Sequence, residues 1–324
     1  QKCKRGFARK SDAMTYERDF LLNMSDSPAI TFETLRRAYA DFCATRLKGS
    51  TLRAKESMIR NNIAPYFDSR QIDQITTQDV SMWQDAIKAK GFKATSLRQI
   101  NGQLTAIFNF AVKYKGLARN PCIEPIGSTS RESVSISFWT LNEYNSFISH
   151  VTDITYRTIY EILYYSGCRI GELLALTLSD IDFQRNTISI SKTFDYHIKK
   201  DNIGTPKTQN SVRTVVLPEQ IIADLKDYTT HIYDITPDNA LFFFSYDQIS
   251  AYKNRVCQQY NIKRIRLHDF RHSHVSLLVE MGTDIYLIAE RIGDDVQTVQ
   301  RTYAHLYPNK QHALADKLNI LVSK

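Results

Sequence analysis

Residues 268–273 read His268-Asp269-Phe270-Arg271-His272-Ser273. They open a helical pattern over residues 268–281, and the step from His268 to Arg271 puts both side chains on one helix face. Alone, a His-x-x-Arg pair is more often structural than catalytic, so its company decides the reading. Upstream lies Ser166-Gly167-Cys168-Arg169-Ile170-Gly171-Glu172-Leu173, where glycine allows a tight approach and Arg169 opens a short helix. Between the two blocks, Gly204-Thr205-Pro206-Lys207-Thr208 reads as a turn or loop ahead of a strand. Downstream, Arg301-Thr302-Tyr303-Ala304-His305-Leu306 places Tyr303 near a helix end. With 18 tyrosines in the chain, Tyr303 gains weight only from this setting.

Around these blocks the pattern alternates in type. Helices are expected over 141–150, 156–165, 219–228, 248–260, 284–292 and 296–303, and strands over 187–192 and 212–217, where branched and polar residues alternate. A small antiparallel sheet inside a mainly helical domain follows. The preceding segment reads as helical throughout: apolar Phe32, Leu35, Ala38, Tyr39 and Phe42 recur at three- and four-residue steps, and similar patterns cover 51–66, 77–89 and 95–114. Thr51, Thr77 and Thr95 are candidate caps. A further helix is expected over 11–22, with linker chemistry at Ser25-Asp26-Ser27-Pro28 and a second break around Pro125-Ile126-Gly127-Ser128. The domain reading is therefore 1–27 as a terminal segment and linker, 28–124 as a helical domain, 125–133 as a linker and 134–324 as the α+β domain.

The net charge of +8 is unevenly distributed. Residues 1–125 hold 21 Lys and Arg against 12 Asp and Glu, whereas residues 126–324 hold 21 against 22. A basic excess confined to the helical part suits a phosphate backbone, although a solvated basic face is also common. Arg53, Lys55, Arg60, Lys93, Arg98, Lys113 and Lys115 are the candidate DNA contacts. The five cysteines are scattered, with no C-x-x-C pair that would suggest zinc, and read as reduced thiols. No run of about 18 apolar residues marks a membrane span.

In order and spacing, the string from Gly167 to Leu173, the Thr-Pro-Lys-Thr loop before Ser211-Val212-Arg213, the His-Asp-Phe-Arg-His-Ser block and Thr302-Tyr303-Ala304-His305-Leu306 resemble the tyrosine recombinase (phage integrase) family over residues 134–307. The segment Ile30–Cys122 looks like the SAM-like core-binding domain of such enzymes. Lys4-Arg5-Gly6-Phe7-Ala8-Arg9-Lys10 resembles the end of an arm-binding domain found in integrases of phages and conjugative transposons. The resemblance implies two domains clamped around duplex DNA. It also implies site-specific cutting and rejoining through a 3′-phosphotyrosine, with neither metal nor ATP and no other cofactor.

The implied roles follow from the chemistry. Arg169 and Arg271 would hold the phosphate bidentately as it gains charge. Tyr303 would attack phosphorus. Lys207 would protonate the leaving oxygen, and His268 would bind the phosphate or help to accept the tyrosine proton. The family usually has histidine or tryptophan at the position nine residues before the nucleophile; here it is Asp294, after Ile292-Gly293. An ionised carboxylate cannot donate to the phosphate and would repel it. Asp294 is then protonated or turned away, or His272 or His305 substitutes, or the enzyme is slow; a working but weakened site is expected. The resemblance further implies a homotetramer on two DNA sites, with the tail 309–324 packing on a neighbour or folding back within its own subunit, and accessory excision or DNA-bending proteins in a bacterial cytoplasm. The rival readings are a relaxing topoisomerase of the same chemistry and a DNA-binding protein that has lost catalysis.

Overall fold

The computed structural model describes residues 30–126, 136–195, 203–204 and 211–306, which fall into two compact units, one within residues 1–133 and one within 134–324. The helix expected over 11–22 and the tail 309–324 lie outside the described residues.

The first unit is built from α1 (Phe32–Ala44), α2 (Gly49–Asn62), α3 (Ala64–Phe67), α4 (Thr77–Lys88) and α5 (Ala94–Tyr114). The apolar spacing of α1 does what the sequence predicts: Phe32, Leu35, Tyr39 and Cys43 are all buried along one face. Phe32 meets Phe67 and Phe108, each at a ring-centroid distance of 5.6 Å. Trp83 is buried with its indole N–H donating to the Asn62 carbonyl at 2.8 Å, so its one polar atom is satisfied.

The caps differ from expectation. α2 starts at Gly49 and α5 at Ala94, neither with a side-chain cap, so Thr51 and Thr95 fall inside their helices. Thr76, not Thr77, caps α4, because Asp79 stands three residues after it and returns the bond to the Thr76 amide. The single helix expected over 51–66 is two: Pro65 in the first turn of α3 lacks an amide hydrogen, which suits a new helix start but not a helix interior.

The second unit is mainly helical with a small antiparallel sheet. Its helices are α6 (Leu141–Ile148), α7 (Ile154–Ser166), α8 (Ile170–Leu174), α9 (Glu219–Thr230), α10 (Tyr246–Gln259), α11 (Asp269–Glu280), α12 (Ile285–Ile292) and α13 (Val296–Tyr303). The strands are β1 (Ile181–Asp182), β2 (Thr187–Ile190), β3 (Thr193–Phe194), β4 (Ile203–Gly204) and β5 (Arg213–Val216). β1, β2 and β5 pair in that order, with Ile188 opposite both Ile181 and Val215, and β3 and β4 form a separate pair. In β2 the alternation is visible as burial: Ile188 and Ile190 face the core, while Thr187 and Ser189 are half-buried.

The core of this unit is aromatic. Trp139 packs on Phe147 at 4.7 Å and edge-on to Phe270 at 5.3 Å, and Tyr160 stacks on Phe270 at 5.6 Å. Trp139 also ties the chain to α11, because its amide donates to Ser273 Oγ at 2.9 Å. A smaller apolar cluster of Val275, Val279, Ile288, Ala289, Ile292, Val299 and Tyr303 joins α11, α12 and α13. Tyr303 is thus held by packing as well as by its polar end. Trp139→Ala is expected to lower stability by about 3–5 kcal/mol, read from the denaturant midpoint, because a large fully buried ring leaves a cavity that rigid neighbours cannot fill.

Candidate active site

The site begins where α7 ends. Gly167 adopts a left-handed conformation (φ 65°) that stops the helix and turns the chain towards Arg169. A Cβ on Gly167 would lie 2.5 Å from His274 Cδ2, so the turn can press against α11 only because the side chain is absent. That close approach brings the Gly167 carbonyl to Arg271, whose Nη1 donates to it at 3.0 Å and to the Ile292 carbonyl at 2.6 Å. Nη2 of Arg271 donates to Asp294 Oδ2 at 2.7 Å. Arg271 is only 3% exposed; burial and the neighbouring Arg169 charge lower its pKa, against the pull of Asp294.

Arg169 occupies the residue just before α8. Its Nη1 donates to Glu172 Oε1 at 2.8 Å and its Nη2 reaches Asp294 Oδ1 at 3.5 Å, while its backbone amide donates to Glu172 Oε2 at 2.9 Å. Glu172 is 2% exposed and also accepts from Arg213 Nη2 at 2.9 Å. Burial alone would raise the Glu172 carboxyl, but Arg213 and Arg169 outweigh it and hold the group below its ordinary value. Arg213 is itself fixed by the carbonyls of Arg291 and Ser211 at 2.8 and 2.9 Å. Arg169 therefore stands on an ionic support two residues deep.

Tyr303 closes the site at the end of α13. Its phenol oxygen lies 2.6 Å from Nδ1 of His272. Burial raises the phenol to about 12; Arg271 and Arg169 pull it down and Asp294 pushes it up, so the phenol senses all three groups. Burial and the neighbouring His268 lower the His272 pKa to about 4. The neutral imidazole and the protonated phenol share one hydrogen bond, in which the phenol donates when the ring proton of His272 is on Nε2. His268 is exposed at the start of α11, yet protein packed around it and the charges of Arg271 and Arg169 lower its pKa. Its ring contacts that of His272 edge-on at 5.2 Å.

The structure thus brings Arg169, Arg271, Asp294 and Tyr303 together, with His268 beside them. The histidine on the phenol is His272 rather than His268, because His272 sits one residue on from Arg271 and faces α13. Asp294 is not turned away; its carboxylate bridges both arginines. Lys207 and the side chain of His305 lie outside the described residues. On the first unit, Arg53, Arg60, Lys93, Arg98 and Lys113 are exposed. Lys55 is half-buried, donating to Tyr39 Oη at 2.9 Å and Gln103 Oε1 at 2.5 Å. Lys115, expected as a DNA contact, is instead 2% exposed at the position just after α5, so it does not present its ammonium to an external phosphate.

A model of the phage integrase family matches residues 138–310, more than half of the chain, and one of the phage integrase N-terminal SAM-like domain matches residues 31–87. The chain belongs to the phage integrase family. The ICEBs1 integrase of Bacillus subtilis (strain 168) is 31% identical over 314 residues, covering 91% of this chain and 84% of that one. Among solved structures, the Tn1549 transposon integrase in complex with a circular intermediate DNA matches with a TM-score of 0.72 at 21% identity, over 89% of this chain and 99% of that one. A lambda integrase tetramer bound to a Holliday junction matches with a TM-score of 0.64 at 17% identity, over 90% of this chain and 83% of that one. Both structural matches support the integrase fold.

For an integrase, several supporting residues escaped the sequence reading. Glu172 lies inside the quoted motif, and its signal was the spacing: an acid three residues after Arg169 reaches back to the Arg169 amide, as at any helix start. Arg213 stands in the quoted Ser211-Val212-Arg213 string but without a role there, and Arg291 gave no local signal, because their partners come from other parts of the chain.

Gly167→Ala is expected to cost roughly 1–2 kcal/mol from the left-handed backbone alone and more from the clash with His274. Gly102→Ala, in the open interior of α5, should instead stabilise by about 0.5–1 kcal/mol. Thermal midpoints of the two variants separate the cases.

Proposed function

We propose that this integrase is a site-specific DNA recombinase that cuts and rejoins duplex DNA through a 3′-phosphotyrosine at Tyr303. The observation that supports it most directly is the meeting of the Tyr303 phenol, the His272 imidazole bonded to it and the Arg169–Arg271 pair in one site. The two guanidinium groups bind the non-bridging oxygens of the scissile phosphate and stabilise the charge that grows on them. The phenol oxygen attacks phosphorus, a bond forms between them, and the bond from phosphorus to the 5′-oxygen breaks.

The protons follow from the acidities. With Tyr303 near 12 and His272 near 4, the proton stays on the phenol in the resting site. His272 therefore orients the hydroxyl and receives its proton only as the oxygen–phosphorus bond forms and the phenol becomes more acidic. Lys207 is assigned to protonate the departing 5′-oxygen. Because the phosphotyrosine retains the phosphodiester bond energy, attack by a 5′-hydroxyl from another strand reverses the step and reseals DNA.

The exposed cations of the first unit, Arg53, Arg60, Lys93, Arg98 and Lys113, fit phosphate contacts that position rather than specify. Residues 28–124 are read as the core-binding domain and 134–324 as the catalytic domain. By analogy with the lambda integrase tetramer on a Holliday junction, four copies act on two DNA sites. Among the described residues no helix is long and apolar enough to cross a membrane, and action in the bacterial cytoplasm is the expected setting.

A nicked duplex carrying the recombination site traps the covalent intermediate and tests this reading. The adduct is expected from the unaltered chain and absent from Tyr303→Phe; an adduct that persists in that variant would sink the assignment. His272→Ala should slow adduct formation by about 100-fold. Because the His272 pKa is lowered, its neutral form persists as the pH falls, so on the acid side the rate should hold through the ordinary histidine range and decline only near pH 4. A pH–rate profile with an acid limb near 6.5 would contradict this.

A further inference from the structure

Asp294 occupies an unusual place for a carboxylate in a site that binds phosphate. Its Oδ2 accepts from Arg271 Nη2 at 2.7 Å and its Oδ1 lies 3.5 Å from Arg169 Nη2. The two oxygens are divided between two guanidinium groups, as the non-bridging oxygens of a phosphodiester would be. The other Nη of each arginine is engaged elsewhere, on Glu172 for Arg169 and on the Gly167 and Ile292 carbonyls for Arg271. The donors that meet Asp294 are therefore those turned towards an incoming anion.

The backbone delivers this carboxylate from a rigid corner. Gly293 ends α12 in a left-handed conformation (φ 65°), the Asp294 amide donates to the Ala289 carbonyl at 3.0 Å, and Asp295 caps α13 by accepting from the Thr298 amide at 2.8 Å. A tethered group held this way meets its partners at high effective concentration. Yet the Asp294 and Arg169 side chains remain 30% and 33% exposed, so a second anion can reach the pair from solvent.

We propose that Asp294 is a built-in phosphate mimic, whose carboxylate fills the oxyanion seat of Arg169 and Arg271 until a phosphate displaces it. The identity of that phosphate as the scissile one rests on the recombinase reading; the seat itself does not. The position of Asp294 gives the exchange a consequence. It stands immediately before α13, and Tyr303 ends that helix, so the helix bearing the nucleophile is tied to the arginines at one end and to His272 at the other. Phosphate entry releases the first tie and leaves the second.

Inorganic phosphate titrated into the full chain, read by the shift in thermal midpoint, tests the seat. Asp294→Asn keeps the shape and an acceptor oxygen but removes the charge, and should bind phosphate about tenfold more tightly or better. Adding Arg169→Ala should remove the gain. Phosphate affinity that is unchanged or weaker in Asp294→Asn overturns the proposal. Should that variant fail to fold, the unaltered chain supplies the test by hydrogen exchange: saturating phosphate should speed exchange at the amides of residues 293–296, and unchanged protection there overturns the proposal. On the nicked duplex, Asp294→Asn should form the Tyr303 adduct faster than the unaltered chain. Tighter phosphate binding with no adduct from any form would uphold the mimic and refute the recombinase reading instead.

Discussion

Arg271 is a permanently charged group almost wholly removed from water, and its surroundings must meet that charge and its donors or the domain would not hold. The acceptors come from two places far apart in sequence: the Gly167 carbonyl after α7, and the corner between α12 and α13, which supplies the Ile292 carbonyl and the Asp294 carboxylate. One guanidinium on α11 thus joins the end of α7 to the corner between α12 and α13. The same requirement explains why α11, a helix with polar residues on several sides, can be buried: Asp269, Arg271, Ser273 and His274 each lie at or below 3% exposure. Asp269, Arg271 and Ser273 have named partners, whereas His274 accepts from Arg291 through Nε2 and leaves Nδ1 without one.

Positioning a second charge beside the first adds a repulsive demand, and Glu172 meets it. It lies under Arg169 and over Arg213, so three guanidinium groups and two carboxylates alternate through the site. This alternation offsets the repulsion between Arg169 and Arg271 through partly or wholly buried contacts rather than flexible surface pairs, which would be screened and weak. Preorganisation of this kind is what electrostatic stabilisation of a developing charge requires. The tyrosine is treated differently. Its ring belongs to an apolar cluster and its hydroxyl meets the His272 imidazole, and burial raises the phenol to about 12.

Much of this was legible in the sequence because it is local. The helices of the first unit follow from apolar spacing, and α13 spans the expected 296–303 because Asp295 caps it and apolar Val299 and Tyr303 share a face. Arg169, Arg271 and Tyr303 stand in blocks whose meaning lies in their order along the chain. What the sequence did not reveal depends on contacts between distant segments. His272 and not His268 reaches Tyr303 because of how α11 packs on α13, and Lys115, an ordinary lysine by type, is buried by the fold around α5. Asp294 was visible as a departure from the family pattern, but its bridge between Arg169 and Arg271 depends on the packing of distant segments.

On the recombinase reading, Arg169 and Arg271 form one oxyanion seat within reach of the Tyr303 phenol. A crystal structure of the Tyr303→Phe chain bound to a nicked duplex measures this most directly. One backbone phosphate is expected to contact both guanidinium groups, with the Asp294 carboxylate moved off them and the edge of the substituted ring at position 303 facing phosphorus. A phosphate bound away from the arginine pair, or a ring turned away from phosphorus, would contradict it.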